Sequence, residues 1–223
     1  MNGKRKNIQA LFVSIILLFN LSCKSLKSTT ELEQVFTKNE IKDLNRINNF
    51  FVKEYLNSSE KNFETSFKDM FQFTYSYGID TLINRVDFNK QRKLYHSIHH
   101  TFDEIWEVKI NEHEPFKGEE YIVPKYQGKF QLFLKQLSKT NTFANLCNKK
   151  MEESGDFNML FFDNYIIHNF DKINFTDFNN QLIISIYYLS MVDDRERDER
   201  TKKRILEYNR KIKEQFENGN LKN

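Results

Sequence analysis

The sequence predicts an all-α fold, a single compact domain of about six helices, on three observations. Six glycines and two prolines in 223 residues leave too few turn-formers for a sandwich of many tight turns. Apolar residues recur at intervals of three and four along most of the chain, the period of a helix face. Helix-start signals stand directly ahead of several of those stripes. With 39% hydrophobic and 15% aromatic residues, a chain of this length buries one sizeable core and suits one domain.

The first element is the opening MNGKRKNIQALFVSIILLFNLSC, a basic start followed by an apolar run from Ala10 to Phe19 broken by Ser14. A bilayer-spanning helix needs about 20 apolar residues, roughly twice this run, so the segment reads as the core of an export signal. Leu21, Ser22 and Cys23 resemble the lipobox of bacterial lipoproteins, in which cleavage precedes a cysteine carrying a diacylglyceryl group. Asn20 departs from the aliphatic residue usual three places before that cysteine. The resemblance covers residues 1–23 only. It implies a removed signal peptide over 1–22, lipidation of Cys23, and a membrane anchored through that lipid as the first partner. A periplasm-facing position is expected, with inner and outer membrane both open. Residues 23–36 are polar and weakly periodic, so they are expected to be a tether, whose thirteen residues after Cys23 extend to about 40–45 Å.

The domain is then expected over 37–223. Thr37-Lys38-Asn39-Glu40 has capping-box form, and Ile41, Leu44, Ile47, Phe51 and Tyr55 follow as one apolar stripe. Asn57, Ser58 and Ser59 interrupt it, and Phe63, Phe67, Met70, Phe71 and Thr74 begin a second stripe that ends at Gly78. Asp87 is placed to cap a third helix with Phe88, Tyr95, Ile98, Phe102, Ile105 and Trp106 on its apolar side. The stretch 110–128 holds both prolines, two glycines and the run Tyr121-Ile122-Val123. It is the longest irregular segment, with room for a short strand, and one place to look for a binding surface.

Phe130, Phe133, Leu134, Leu137, Ala144 and Met151 resume the helical spacing until Ser154-Gly155-Asp156 stops it. Phe157–Phe170 and Leu182–Val192 are apolar on nearly every side, the pattern of segments buried at the centre of a helical domain. From Asp193 the chain reads DDRERDERTKKR, with acids four places before bases, as on a solvated helix. Ile205, Tyr208, Ile212 and Phe216 restore a narrow stripe, which either docks back on the domain or meets a partner.

The residues that offer chemistry are few. On a continuous third helix His96, His100 and Asp103 share one polar arc with Glu107, and His99 borders it. Two histidines one turn apart and a carboxylate on the next suit zinc. Ser97 stands where a zinc peptidase helix carries its glutamate, so no such enzyme is implied. Glu112, His113 and Glu114 are further ligand types in the following loop. His168, in line with Phe161 and Tyr165, reads as a core histidine, and Cys147 as a small buried apolar residue. With Cys23 lipidated, no second thiol remains for an intramolecular disulfide.

Net charge excludes one class. Lys4, Arg5 and Lys6 are the only charges before Cys23, so 31 basic residues of the 34 remain against 31 acidic ones. A balanced chain lacks the long-range attraction that draws proteins to nucleic acid. No GxSxG elbow, phosphate-binding glycine loop, GxGxxG or CxxC pair occurs. The sequence therefore favours a non-enzymatic envelope module that binds a partner protein or small ligand, an immunity lipoprotein being one form. The alternative is a metal-binding protein or metal-dependent enzyme using His96, His100 and Asp103.

Overall fold

A computed structural model describes residues 26–110, 112–113, 117–118, 120–155 and 159–220, and within these the side chains of several residues, mostly beyond Asp193, stay outside the description. The expected signal peptide and Cys23 lie outside it too. The chain is mostly helical, with ten α-helices and one two-stranded sheet among the described residues. They are α1 (Thr30–Val35), α2 (Lys38–Phe50), α3 (Phe63–Tyr77), α4 (Asp80–Ile83), α5 (Phe88–Ser97), α6 (His99–Ile105), β1 (Trp106–Ile110), β2 (Glu120–Pro124), α7 (Lys129–Leu137), α8 (Thr142–Ser154), α9 (Met159–Asn169) and α10 (Phe178–Asn220). Among the described residues no helix is long and apolar enough to cross a membrane.

Residues 26–36 are not a loose tether. Thr29 caps α1 by accepting from the Leu32 amide, and Leu32 and Phe36 are buried in the core. The Thr29 hydroxyl donates to Asn179 Oδ1 at 2.8 Å, and the Lys27 amide donates to Asn45 Oδ1 at 3.0 Å. The folded part thus begins at least ten residues earlier than the polar sequence suggests, because two apolar anchors and a cap outweigh weak periodicity.

The capping box at α2 forms as its sequence predicts: the Thr37 amide donates to Glu40 Oε2 at 2.7 Å and the Glu40 amide to Thr37 Oγ1 at 3.4 Å. A π-helical turn, Phe51–Tyr55, extends the helix and buries Phe51, Val52 and Tyr55. α3 stops at Gly78, whose φ of +87° suits glycine. Asp87 accepts from the Asn89 and Lys90 amides and starts α5.

The expected third helix is broken. At Ile98 the backbone takes φ −122°, ψ 26°, and α6 restarts at His99. Ile98 is buried at the break, and Arg46 donates to the Ser97 carbonyl just before it at 3.1 Å. α6 then ends at Ile105 and Trp106 enters β1, which pairs antiparallel with β2 in the register Trp106↔Pro124 to Ile110↔Glu120. The segment that held the short apolar run therefore returns as half of a hairpin. Likewise the stripe after Phe130 divides at 138–141 into α7 and α8, where Asn141 caps the Ala144 amide. These two breaks split two of the about six expected helices, and α1 and α4, which the stripes do not show, bring the described α-helices to ten.

α10 is the axis. From Phe178 to Asp193 every side chain except Ser190 is buried, and the helix touches α2, the π-helical turn, α4, α5, β2 and α8. Buried apolar residues from all the larger elements join in one cluster. α9 departs from expectation. Phe162 and Ile166 face the core, but Asn164, Ile167 and His168 are exposed, so the helix is amphipathic and His168 is not a core residue. Beyond Asp193 Glu196 is half-buried, and the other described side chains, from Lys203 to Glu214, are exposed. Tyr208 is 42% exposed. The side chains of Ile205, Ile212 and Phe216 are outside the description.

Candidate functional site

The polar face expected to hold metal ligands opens onto a cleft of about 280 Å³. One wall comes from α5 and α6 with Arg92, His96, His99 and Asp103; the hairpin contributes Val108, Glu120 and Ile122; Tyr95, Phe102 and Asp193 complete the lining. The break at Ile98 decides which histidines enter. It turns His99 into the cleft beside His96, while His100 is not in the lining. The two neighbouring imidazoles still touch, with ring centroids 3.9 Å apart.

Of the expected ligands His96, His100 and Asp103, the structure thus gathers two, with His99 in place of the third. Among the described residues no three His, Cys, Asp or Glu side chains come close enough together to hold a metal ion. Glu112 and His113 are exposed on the hairpin connection, and Glu114 is outside the description.

Behind the cleft lies a buried polar network. Tyr55 Oη donates to Gln91 Oε1 at 2.5 Å, and Gln91 Nε2 donates to Tyr95 Oη at 2.8 Å and to the Leu189 carbonyl at 2.9 Å. Trp106 Nε1 donates to Ser190 Oγ at 2.7 Å. Burial, and then the nearby Asp193 carboxylate, push the Tyr55 and Tyr95 phenols well above their ordinary value of 10. Both stay protonated donors at neutral pH, so the network positions the wall and moves no proton. Tyr95, Phe102 and Trp106 pack ring against ring at 5.1–5.2 Å, which stiffens the same wall.

The cleft offers a cation, two imidazoles and three carboxylates around an apolar floor. Such a surface orients a small polar ligand or an exposed loop of a partner. Its lining holds no serine, threonine or cysteine, and its one hydroxyl side chain is that of Tyr95. Cys147 lies elsewhere, buried in α8, and desolvation pushes its thiol far up, away from a reactive thiolate.

Asp193 was not legible as a site residue because it reaches the cleft from α10, and Arg92 and Tyr95, on α5 beside His96, were not because the sequence placed them off the polar arc. Glu120 and Ile122 were partly so, since they belong to the irregular segment singled out as a binding surface. Compared with protein-family models, curated proteins and solved structures, the chain matches none.

Proposed function

We propose that the protein is a lipoprotein of the bacterial cell envelope, held to a membrane through Cys23 and acting as a non-enzymatic binding module for a partner protein or small ligand. The observation that carries this reading is the opening sequence, in which a basic start, an apolar run of half a membrane span and Leu21-Ser22-Cys23 follow in the order of an export signal with a lipid-modified cysteine. The binding role is supported by the cleft, whose mixed charges and apolar floor suit recognition, and by the lack of a catalytic template in the sequence. Only Lys24 and Ser25 stand between Cys23 and the first described residue, a span of about 10 Å at full extension. A lipid on Cys23 would hold the domain against the bilayer surface.

Fatty-acid labelling with an intact mass, on wild type and Cys23→Ser, tests the anchor. Lipid and the loss of 22 residues should appear in the wild type alone; an unlipidated, soluble wild-type product overturns the reading. For the cleft, a photo-crosslinking side chain at His99 should capture a discrete partner in cells, whereas the same group at exposed Leu132, outside the cleft, should not. Equal capture at both positions removes the cleft from the proposal.

The metal reading keeps one supporting observation, that His96, His99 and Asp103 line the same cleft. Metal content of purified protein decides it: stoichiometric zinc, iron or copper that His96→Ala and His99→Ala both remove would establish it, and sub-stoichiometric metal in the wild type would end it.

A further inference from the structure

A second concavity lies apart from the cleft, where α3 and α9 face each other above the buried half of α10. Two adjoining hollows of about 350 and 330 Å³ share Phe71, Tyr75 and Ile167 and so form one groove. Each is within the lower part of the roughly 300–1,000 Å³ range of small-molecule sites. Tyr188, fully buried on α10, lies at its base. Tyr75 is 68% exposed and Ile167 38%, so both stand at the rim.

The first hollow contains one charged side chain, Asp163. Among the described residues its only side-chain hydrogen bond comes from Tyr187 Oη, at a long 3.4 Å to Oδ1. Among the described residues it has no ion pair. A carboxylate drawn into an aromatic wall without a cation is costly, and the cost falls when a cation enters. Burial raises Asp163 from its ordinary 3.8 to about 6, against a small opposing effect of the Tyr187 bond, so the group is still largely ionised at neutral pH. Nearby aromatic faces add attraction for the same species. The groove already shows this at its other end, where the Lys68 ammonium stands 5.6 Å from the Phe170 ring centroid, near Asp171.

The Thr74 hydroxyl donates to the Met70 carbonyl at 2.8 Å, which leaves its lone pairs for an incoming N–H. With Asp163 and Asn164 also in its lining, the hollow offers several oxygen acceptors to the N–H donors of an organic ammonium. The second hollow continues the apolar wall with Ile166 and Phe170, room for an alkyl stem.

We propose that the groove between α3 and α9 binds a primary alkylammonium, with the cation against Asp163 and the alkyl chain along Phe71, Tyr75 and Ile167. Two sources share this chemistry, a free amine and a lysine side chain of a partner. The site is separate from the cleft and stands whether or not the cleft is a binding surface.

The test is calorimetric titration of the full-length protein in non-ionic detergent with hexylammonium, hexan-1-ol and Nα-acetyl-lysine methylamide. At pH 8 hexylammonium should bind saturably and at least tenfold tighter than hexan-1-ol. Asp163→Asn should abolish that preference, and lowering the pH from 8 to 5, which protonates Asp163, should weaken hexylammonium at least fivefold. Ile167→Lys, at the exposed rim, should compete from within and weaken it too, which guards against a misfolded Asp163 variant. Tighter binding of the lysine derivative than of hexylammonium assigns the site to a protein side chain, and weaker binding to a free amine. Hexan-1-ol binding as tightly as hexylammonium, hexylammonium unaffected by Asp163→Asn, or no saturable binding of either ammonium overturns the proposal.

Discussion

Gln91 is fully buried and both ends of its amide are used, by Tyr55 on one side and by Tyr95 and the Leu189 carbonyl on the other. Gln91→Leu keeps the volume but strands the Tyr55 hydroxyl and weakens the hold on Leu189. An unsatisfied buried group costs about 1–3 kcal/mol, so the variant should lose about 2–4 kcal/mol, read as a lower urea midpoint at unchanged slope. Asp163 behaves in the opposite sense. Its folded pKa of about 6 lies above its ordinary 3.8, so the native state holds the proton more tightly than the unfolded chain. Its effect on stability is nil below about pH 4 and grows unfavourable as pH rises through 6. At about 1.4 kcal/mol per pH unit the full penalty is at most about 3 kcal/mol. Asp163→Asn should therefore raise stability at pH 8 by about 1–3 kcal/mol and far less at pH 4, in urea unfolding at the two pH values. Capping residues such as Thr37 and Asp87 were legible in the sequence because their partners lie within three positions. His168 and Asp163 were not, because the side of α9 that faces the core depends on where α10 and α3 sit.

At the scale of elements, the legible features were the stripes and the illegible ones were the breaks. Ile98 is β-branched, apolar and in phase with the stripe, yet the helix stops there; next to it the Ser97 hydroxyl donates to the Leu94 carbonyl and Arg46 donates to the Ser97 carbonyl, a bond from a distant element that the stripe does not show. Trp106 fits a helical stripe equally well and instead starts β1. Gly128 shows the reverse case, a position where one atom matters. A Cβ there would meet the Glu104 carbonyl oxygen at 2.6 Å and the Lys125 carbonyl oxygen at 3.2 Å. Both are backbone atoms, so the hairpin end and the start of α7 would have to part from α6. Gly128→Ala should cost about 1–3 kcal/mol as an overpacked site, and near-wild-type thermal unfolding would show that the turn yields instead. α1 carries a similar test. Leu32 is fully buried in what reads as a polar linker, so Leu32→Ala should destabilise the protein by about 2–5 kcal/mol, the range for a core leucine. A true tether would show no change in the urea midpoint.

For the molecule as a whole, α10 sets the arrangement, and its two halves have different physics. Over Leu182–Val192 the sequence already shows the all-round apolarity of a central helix, and the structure buries it as expected. The second half has the charge pattern of a solvated helix, and its described side chains from Lys203 onward are exposed, with Glu207–Lys211 and Arg210–Glu214 pairs at 2.9 and 3.0 Å. Exposed pairs of this kind are each worth about 0.3–0.5 kcal/mol to the helix itself and nothing to the distant core. At 43 residues and about 1.5 Å per residue the helix is about 64 Å long, longer than a compact domain of this size is wide, which is why its end projects. Deleting residues 210–223 should therefore leave the urea midpoint within about 0.5 kcal/mol of wild type and the slope unchanged. Ile184→Ala, in the buried half of the same helix, should cost about 2–5 kcal/mol. If the deletion instead costs more than about 1 kcal/mol, the terminal stripe of Ile205, Tyr208, Ile212 and Phe216 packs on the protein's own surface. If stability holds but the protein loses an envelope complex in native gels, that stripe is the face it offers to a partner.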